Sequence, residues 1–164
     1  MIIVSDTTPL RYLIEIEKAN VLESLFGKLI IPQAVFSDLQ RPKTPQPVKD
    51  WIVNHHAWLE IRQADLSLYT PQKRIGDGER EAFALALELQ ADAVLVDDKG
   101  AIVEAKRLSL VTIRTFDILE RAAKANLLDL PETIDRIKLT SFRLPPVKII
   151  DEILERDRQR KLAG

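Results

Sequence analysis

Five short apolar runs, at residues 2–5, 29–31, 58–61, 93–96 and 110–113, alternate along the chain with stretches of helical spacing. That alternation restricts the fold more than any other feature. Strands separated by helices are joined by crossovers, which make the sheet parallel and cover both of its faces. The expected class is α/β: a three-layer α/β/α sandwich with a central parallel sheet.

Local signals place the helices. Pro9 suits the first turn of a helix running to Glu15, with Thr7 or Thr8 as its cap. Leu22, Leu25 and Phe26 have helical spacing, and Gly27 stops them. Pro32 opens a helix that turns Val35, Phe36 and Leu39 to the core and leaves Asp38 off it. Prolines 42, 45 and 47 mark a connector, followed by a helix over residues 48–55. Residues 63–75 read as a polar loop. The clearest helix covers residues 78–89, with Ala82, Phe83, Ala86 and Leu87 on one side, and others follow at 100–108 and 115–125. Trp51 and Trp58 read as core anchors.

After Leu130 the rhythm changes to two helices, at 131–139 and 147–154, with an apolar stripe of Ile149, Ile150, Ile153 and Leu154. The division expected is therefore a domain over residues 1–130 and a helical C-terminal extension over 131–164. The extension is expected mainly to pack, although a dimer contact or a partner peptide also suits its stripe.

Composition excludes several classes. With 164 residues the chain can bury a core without disulfides, and with no cysteine it has no thiolate zinc site and no cysteine nucleophile. That fits a reducing cytoplasm. His55 and His56, the only histidines, are adjacent, so on a helix they point apart and read as a solvated end. No apolar run is long enough for a membrane span, and Asp6 interrupts what a signal peptide would need. A net charge of −1 argues against coating nucleic acid by phosphate neutralisation, while leaving room for a local basic rim.

Acidic residues fall at the strand and helix ends. Asp6 closes the first run, Asp97 and Asp98 close the fourth, Asp38 follows the second, and Glu79 lies in Gly76-Asp77-Gly78-Glu79-Arg80-Glu81. Each has an ordinary explanation alone: acids complement a helix N-terminus, and Asp forms turns. Asp6 and Asp97 fall where open parallel sheets build sites, beyond the carboxyl ends of strands, and Asp38 and Glu79 would have to reach that edge from helices. Carboxylates brought together there need a cation or retained protons. Oxygen ligands without a nitrogen or sulfur cluster suit Mg²⁺ or Mn²⁺. Asp6 as a phosphotransfer nucleophile is disfavoured, because Thr8 stands two positions on where a second acid would be needed. Gly76-Asp77-Gly78 is too short to cradle phosphate and reads as a turn before a helix.

In order, Val4-Ser5-Asp6-Thr7-Thr8-Pro9-Leu10, residues 30–39, residues 78–86 and Ala91-Asp92-Ala93-Val94-Leu95-Val96-Asp97-Asp98 resemble a PIN domain, most closely its small prokaryotic branch. The motifs span residues 1 to about 125, and the tail resembles that branch's C-terminal extension. The resemblance implies a metal-dependent ribonuclease acting on single-stranded RNA, often the toxin of a toxin–antitoxin pair. It implies Asp6, Asp38, Glu79 and Asp97 as the catalytic carboxylates and a Mg²⁺ or Mn²⁺ ion on Asp6, Glu79, Asp97 and Asp98. Thr7 or Thr8 matches a hydroxyl beside the first acid, and Asp77 and Glu81 are alternates. The family usually has Glu where this chain has Asp38, and often Asp where it has Glu79. Lys73, Arg74, Lys99 and Lys106 are expected near the same edge as RNA-backbone contacts. Expected partners are single-stranded RNA, a small antitoxin protein and a second copy of the chain, in the cytoplasm and without a membrane. The competing class is a catalytically weak PIN-fold module that binds a partner protein or RNA.

Overall fold

A computed structural model describes residues 1–72 and 74–164. In chain order the elements are β1 (Ile3–Ser5), α1 (Thr7–Glu15), α2 (Asn20–Phe26), β2 (Leu29–Pro32), α3 (Gln33–Asp38), α4 (Gln46–Val53), β3 (Leu59–Arg62), a 3₁₀ turn (Leu66–Leu68), α5 (Asp77–Leu89), β4 (Ala93–Leu95), α6 (Lys99–Arg107), β5 (Thr112–Ile113), α7 (Thr115–Lys124), α8 (Leu130–Lys138) and α9 (Val147–Ala163). They form two compact units, Met1–Thr115 and Phe116–Gly164.

The first unit holds a five-stranded parallel sheet in the order β3-β2-β1-β4-β5. From β1 the chain steps outward through β2 to β3, crosses back to β4, and steps the other way to β5. Right-handed crossovers put the helices of these two directions on opposite faces, which gives the three layers. Coverage of both faces explains why β1, β2 and β4 are buried along their whole length, whereas the edge strand β3 is half exposed. The long crossover helix α5 packs on β1, β2 and β4. It buries Ala82, Phe83, Ala84, Leu85 and Ala86.

Three local expectations change. Helix α1 begins at Thr7, so Asp6 occupies the cap position and Thr7 and Thr8 are the first helical residues. The loop after β3 is not merely polar: Tyr69 is buried in it and meets Phe83 edge-on, with ring centroids 6.3 Å apart. His56 is no solvated end, since it stacks on Trp51 at 3.8 Å and its Nε2 lies 2.9 Å from the Trp51 carbonyl.

That loop is tied down by Glu104 of α6. Its carboxylate is buried, and it accepts hydrogen bonds from the Tyr69 hydroxyl (2.8 Å) and the Gln72 N–H (3.1 Å) and pairs with the Arg107 guanidinium. Arg107 first, then the Tyr69 and Gln72 bonds, hold its carboxyl down to about 2 against the opposing effect of burial. Glu104→Ala leaves three donors without their acceptor, and about 3 kcal/mol of stability is expected to go with it. Because the folded pKa is lowered, Glu104 contributes stability above its unfolded value of about 4.3, and that contribution is lost as pH falls towards 2. Urea melts at pH 6 and pH 3 check both statements: Glu104→Gln should show a flatter decline with acid than the wild type.

In the second unit Phe116 stacks on Phe142 at 5.8 Å, and Glu120 takes two hydrogen bonds from Arg156. Asp129 caps α8 by accepting from the Glu132 N–H. The charged stretch near the C-terminus is helical, so α9 outruns the expected end at Leu154. Pairs one turn apart carry it on, with Arg158 on Glu155 and Lys161 on the buried Asp157. Of the apolar stripe, Ile150 and Ile153 are buried, and Ile149 stays 41% exposed.

Candidate active site

The sheet order reverses between β1 and β4, and the crevice beyond their carboxyl ends is where such sheets bind ligands. Asp6 is the first residue past β1 and closes the ladder, its N–H donating to the Leu95 carbonyl at 2.9 Å. This holds its side chain at the switch point with only 5% exposure. Burial pushes its carboxyl up to about 7, and the charges of Glu79, Asp38 and Asp97 push the same way; a hydrogen bond from the Thr7 backbone opposes them.

Asp38 ends α3 and reaches the same crevice from the side. Its Oδ2 accepts the Thr7 hydroxyl at 2.9 Å, and its Oδ1 takes Arg41 Nη2 at 2.7 Å. Glu79 comes from the first turn of α5, where its carboxyl is also raised, by burial first and then by the charge of Asp98. Asp6, Thr7, Thr8, Asp38 and Arg41 line one wall of a cleft of about 230 Å³, and the Gly76–Glu79 turn lines the other. Asp77 is in that lining but exposed.

Two residues of this cleft carried no functional expectation. Arg41 directly precedes the connector marked by prolines 42, 45 and 47. Gly78 was read only as a turn residue, yet a Cβ there would stand 2.9 Å from Asp6 Oδ1 and 3.1 Å from both Asp38 Oδ2 and Thr7 Oγ1. The three oxygens close on bare backbone. A glycine directly before an acid in a helix's first turn, opposite a strand-end Asp, is the sequence signal that could have marked it.

The other expected residues sit elsewhere. Both oxygens of Asp97 face Thr115, Oδ1 accepting its N–H at 2.9 Å and Oδ2 its hydroxyl at 2.5 Å, and the charge of Asp97 acts on Asp6. Asp98 caps α6 by accepting from the Ala101 N–H at 2.8 Å. Glu81 faces away from the cleft and takes the Ala34 N–H at 3.1 Å, joining α5 to the start of α3. Arg74, Lys99 and Lys106 are exposed and outside the cleft lining. Lys106 lies in the last turn of α6, about 10 Å along the helix from Lys99 and away from the carboxyl edge. Lys73 lies outside the described residues.

The donors around the cleft are oxygens, as a hard divalent cation prefers. Asp6 adds the stronger indication, being a buried carboxylate surrounded by other acids, which a cation neutralises. Among the described residues no group of three carboxylates converges closely enough to hold one ion together. The fit therefore rests on donor chemistry and on Asp6, with Asp38 and Glu79 as its neighbours in the cleft.

A doubly wound parallel sheet with an acidic crevice at its switch point defines the class of this α/β protein. The model of the PIN domain family matches residues 2–159, and the chain belongs to that family, whose members are in general nucleases. Among solved structures it is similar to a PilT N-terminus domain protein from the hyperthermophilic archaeon Sulfolobus solfataricus. That likeness has a TM-score of 0.52 and 18% identity over 89% of this chain and 99% of the other, and it speaks for the fold. No curated protein matches the chain. No described helix is long and apolar enough to cross a membrane.

Proposed function

We propose that the chain is a Mg²⁺- or Mn²⁺-dependent endoribonuclease that hydrolyses phosphodiester bonds of single-stranded RNA. The observation that carries this is Asp6 at the switch point, its carboxyl raised first by burial and further by three neighbouring acids. A divalent cation supplies Lewis acidity when bound, acidifying water and offsetting phosphate charge. Asp6 and Glu79 would be its primary holders, and Asp97 and Asp98 would contribute charge from the β4 side. Asp38, fixed by the Thr7 hydroxyl, would orient the water that attacks phosphorus and take up its proton, while the P–O bond to the departing strand breaks and its oxygen is protonated from solvent. Thr8 and Asp77 border the path of the RNA strand. Gly78 keeps the acids close by presenting no side chain. Single-stranded RNA suits a recessed site, because an isolated backbone phosphate can enter where a duplex cannot.

The expected result is endonucleolytic cleavage of an unstructured RNA oligonucleotide in Mn²⁺ that stops on adding a chelator and resumes with excess metal. Cleavage that survives chelation would refute the reading. A toxin role, with a small antitoxin protein as partner and a homodimer in the cytoplasm, goes with this activity. Co-expression with any small reading frame found beside the gene, and light scattering of the purified protein, address those points.

One observation favours a second reading, a catalytically weak module that binds a protein or RNA: both oxygens of Asp97 are engaged by Thr115. Such a module would bind Mn²⁺ without any dependence on Asp6.

A further inference from the structure

Arg41 stands out in the cleft as the cation of its lining among the described residues, while the exposed Arg74 and Lys99 lie outside it. Its side chain is 69% exposed, and Nη2 rests on Asp38 Oδ1 at 2.7 Å. Asp38 is 19% exposed and Arg41 stands largely in solvent just past the end of α3, so water screens the guanidinium side of the pair and the contact can be shared. A guanidinium has five N–H donors in a planar fork that matches phosphate oxygens. At this position the fork can keep one donor on Asp38 and offer others to an anion entering the mouth of the cleft. Asp38, held on its other oxygen by Thr7, gives the fork a fixed base.

We propose that Arg41 is the substrate-phosphate contact of this cleft and also the internal counter-ion of Asp38 in the free protein. The proposal rests on the nuclease reading above. The two roles pull in opposite directions. As a counter-ion, Arg41 lowers the negative potential that draws a divalent cation to Asp6 and Glu79. As a phosphate contact, it draws in RNA. Its removal therefore strengthens metal binding and weakens RNA binding at once, whereas a merely structural residue would weaken both or neither.

The test compares wild type, Arg41→Ala and Arg41→Lys by calorimetric Mn²⁺ titration and by steady-state cleavage of a single-stranded oligoribonucleotide over a range of salt. For Arg41→Ala the Mn²⁺ Kd is expected to fall about 5-fold while KM rises about 10-fold, with kcat within about 3-fold of wild type. The log–log salt slope of KM should shrink by about 0.7, the value for one phosphate contact on a single strand. Arg41→Lys keeps the charge and should hold the Mn²⁺ Kd near wild type, with an intermediate KM. Matching melting temperatures for the three proteins are expected, since Arg41 is mostly exposed. If wild type cleaves and Arg41→Ala leaves KM and Mn²⁺ affinity unchanged, or weakens both, the role of Arg41 is overturned and the nuclease reading stands. If wild type neither cleaves RNA nor binds Mn²⁺, both fall together.

Discussion

Asp6→Asn is expected to abolish metal-dependent cleavage and, in the absence of metal, to make the protein more stable at pH 8. The two effects share a cause. The Asp6 carboxyl is pushed up to about 7 in the folded protein, against an ordinary value of 3.8. Between those values the folded chain holds a proton that the unfolded chain has released. Stability from this group is therefore complete below about pH 4 and lost as pH rises through 7. At pH 8 a buried, ionised Asp6 costs about 4 kcal/mol, an upper figure because it takes the whole shift at face value. Asn removes the charge, keeps the shape, and can donate its amide to the neighbouring acids. Metal-free Asp6→Asn should melt up to about 10 °C above wild type at pH 8, and the gap should shrink at pH 5. Mn²⁺ should raise the melting temperature of wild type and leave the variant where it was. Melting scans at both pH values, with chelator or Mn²⁺, read all of this. A variant that melts lower than wild type at pH 8 would show that the acids around Asp6 do not repel it.

Gly78→Ala is expected to cost activity without costing the fold. Its Cβ would enter the gap between Asp6, Asp38 and Thr7, where the nearest oxygen is 2.9 Å away, so those side chains must move apart by several tenths of an ångström. Misplacement by a full ångström in a site held for catalysis costs on the order of 100-fold, so a shift of several tenths is expected to lower the rate about 10-fold. Ala in a helix is favoured over Gly by about 1 kcal/mol, which offsets the local crowding. Melting within a few degrees of wild type, with cleavage and Mn²⁺ affinity both reduced, is the outcome that identifies Gly78 as the spacer of the acids. Wild-type cleavage by Gly78→Ala would mean that the acids need not approach so closely.

The sheet was readable because its inner strands β1, β2 and β4 are buried along their whole length and so appear as apolar runs between helical stretches. Placing Asp6 at the switch point followed from the same pattern, since a strand end is visible in the order of residues. Side-chain reach was not visible. Asp97 follows β4 as Asp6 follows β1, but its partner is Thr115, eighteen positions later and brought there by β5. Glu79 and Glu81 are two residues apart on α5, about 200° around the helix, so only one can face the cleft, and composition does not say which. The Ala34 N–H decides it by taking Glu81. Gly78 and Arg41 act through an absent side chain and a long one, properties that periodicity does not register. Tyr69 escaped notice because a buried hydroxyl in a polar loop depends on Glu104, which lies far along the chain.

The claim that Asp6 anchors a cation site is tested most directly by calorimetric titration of metal-free wild type and Asp6→Asn with Mn²⁺ at pH 8. The account predicts a saturable site in the wild type that is absent in the variant, with proton release on binding that grows as the starting pH is lowered towards 7. Equal Mn²⁺ binding by the two proteins, or none by the wild type, would contradict it.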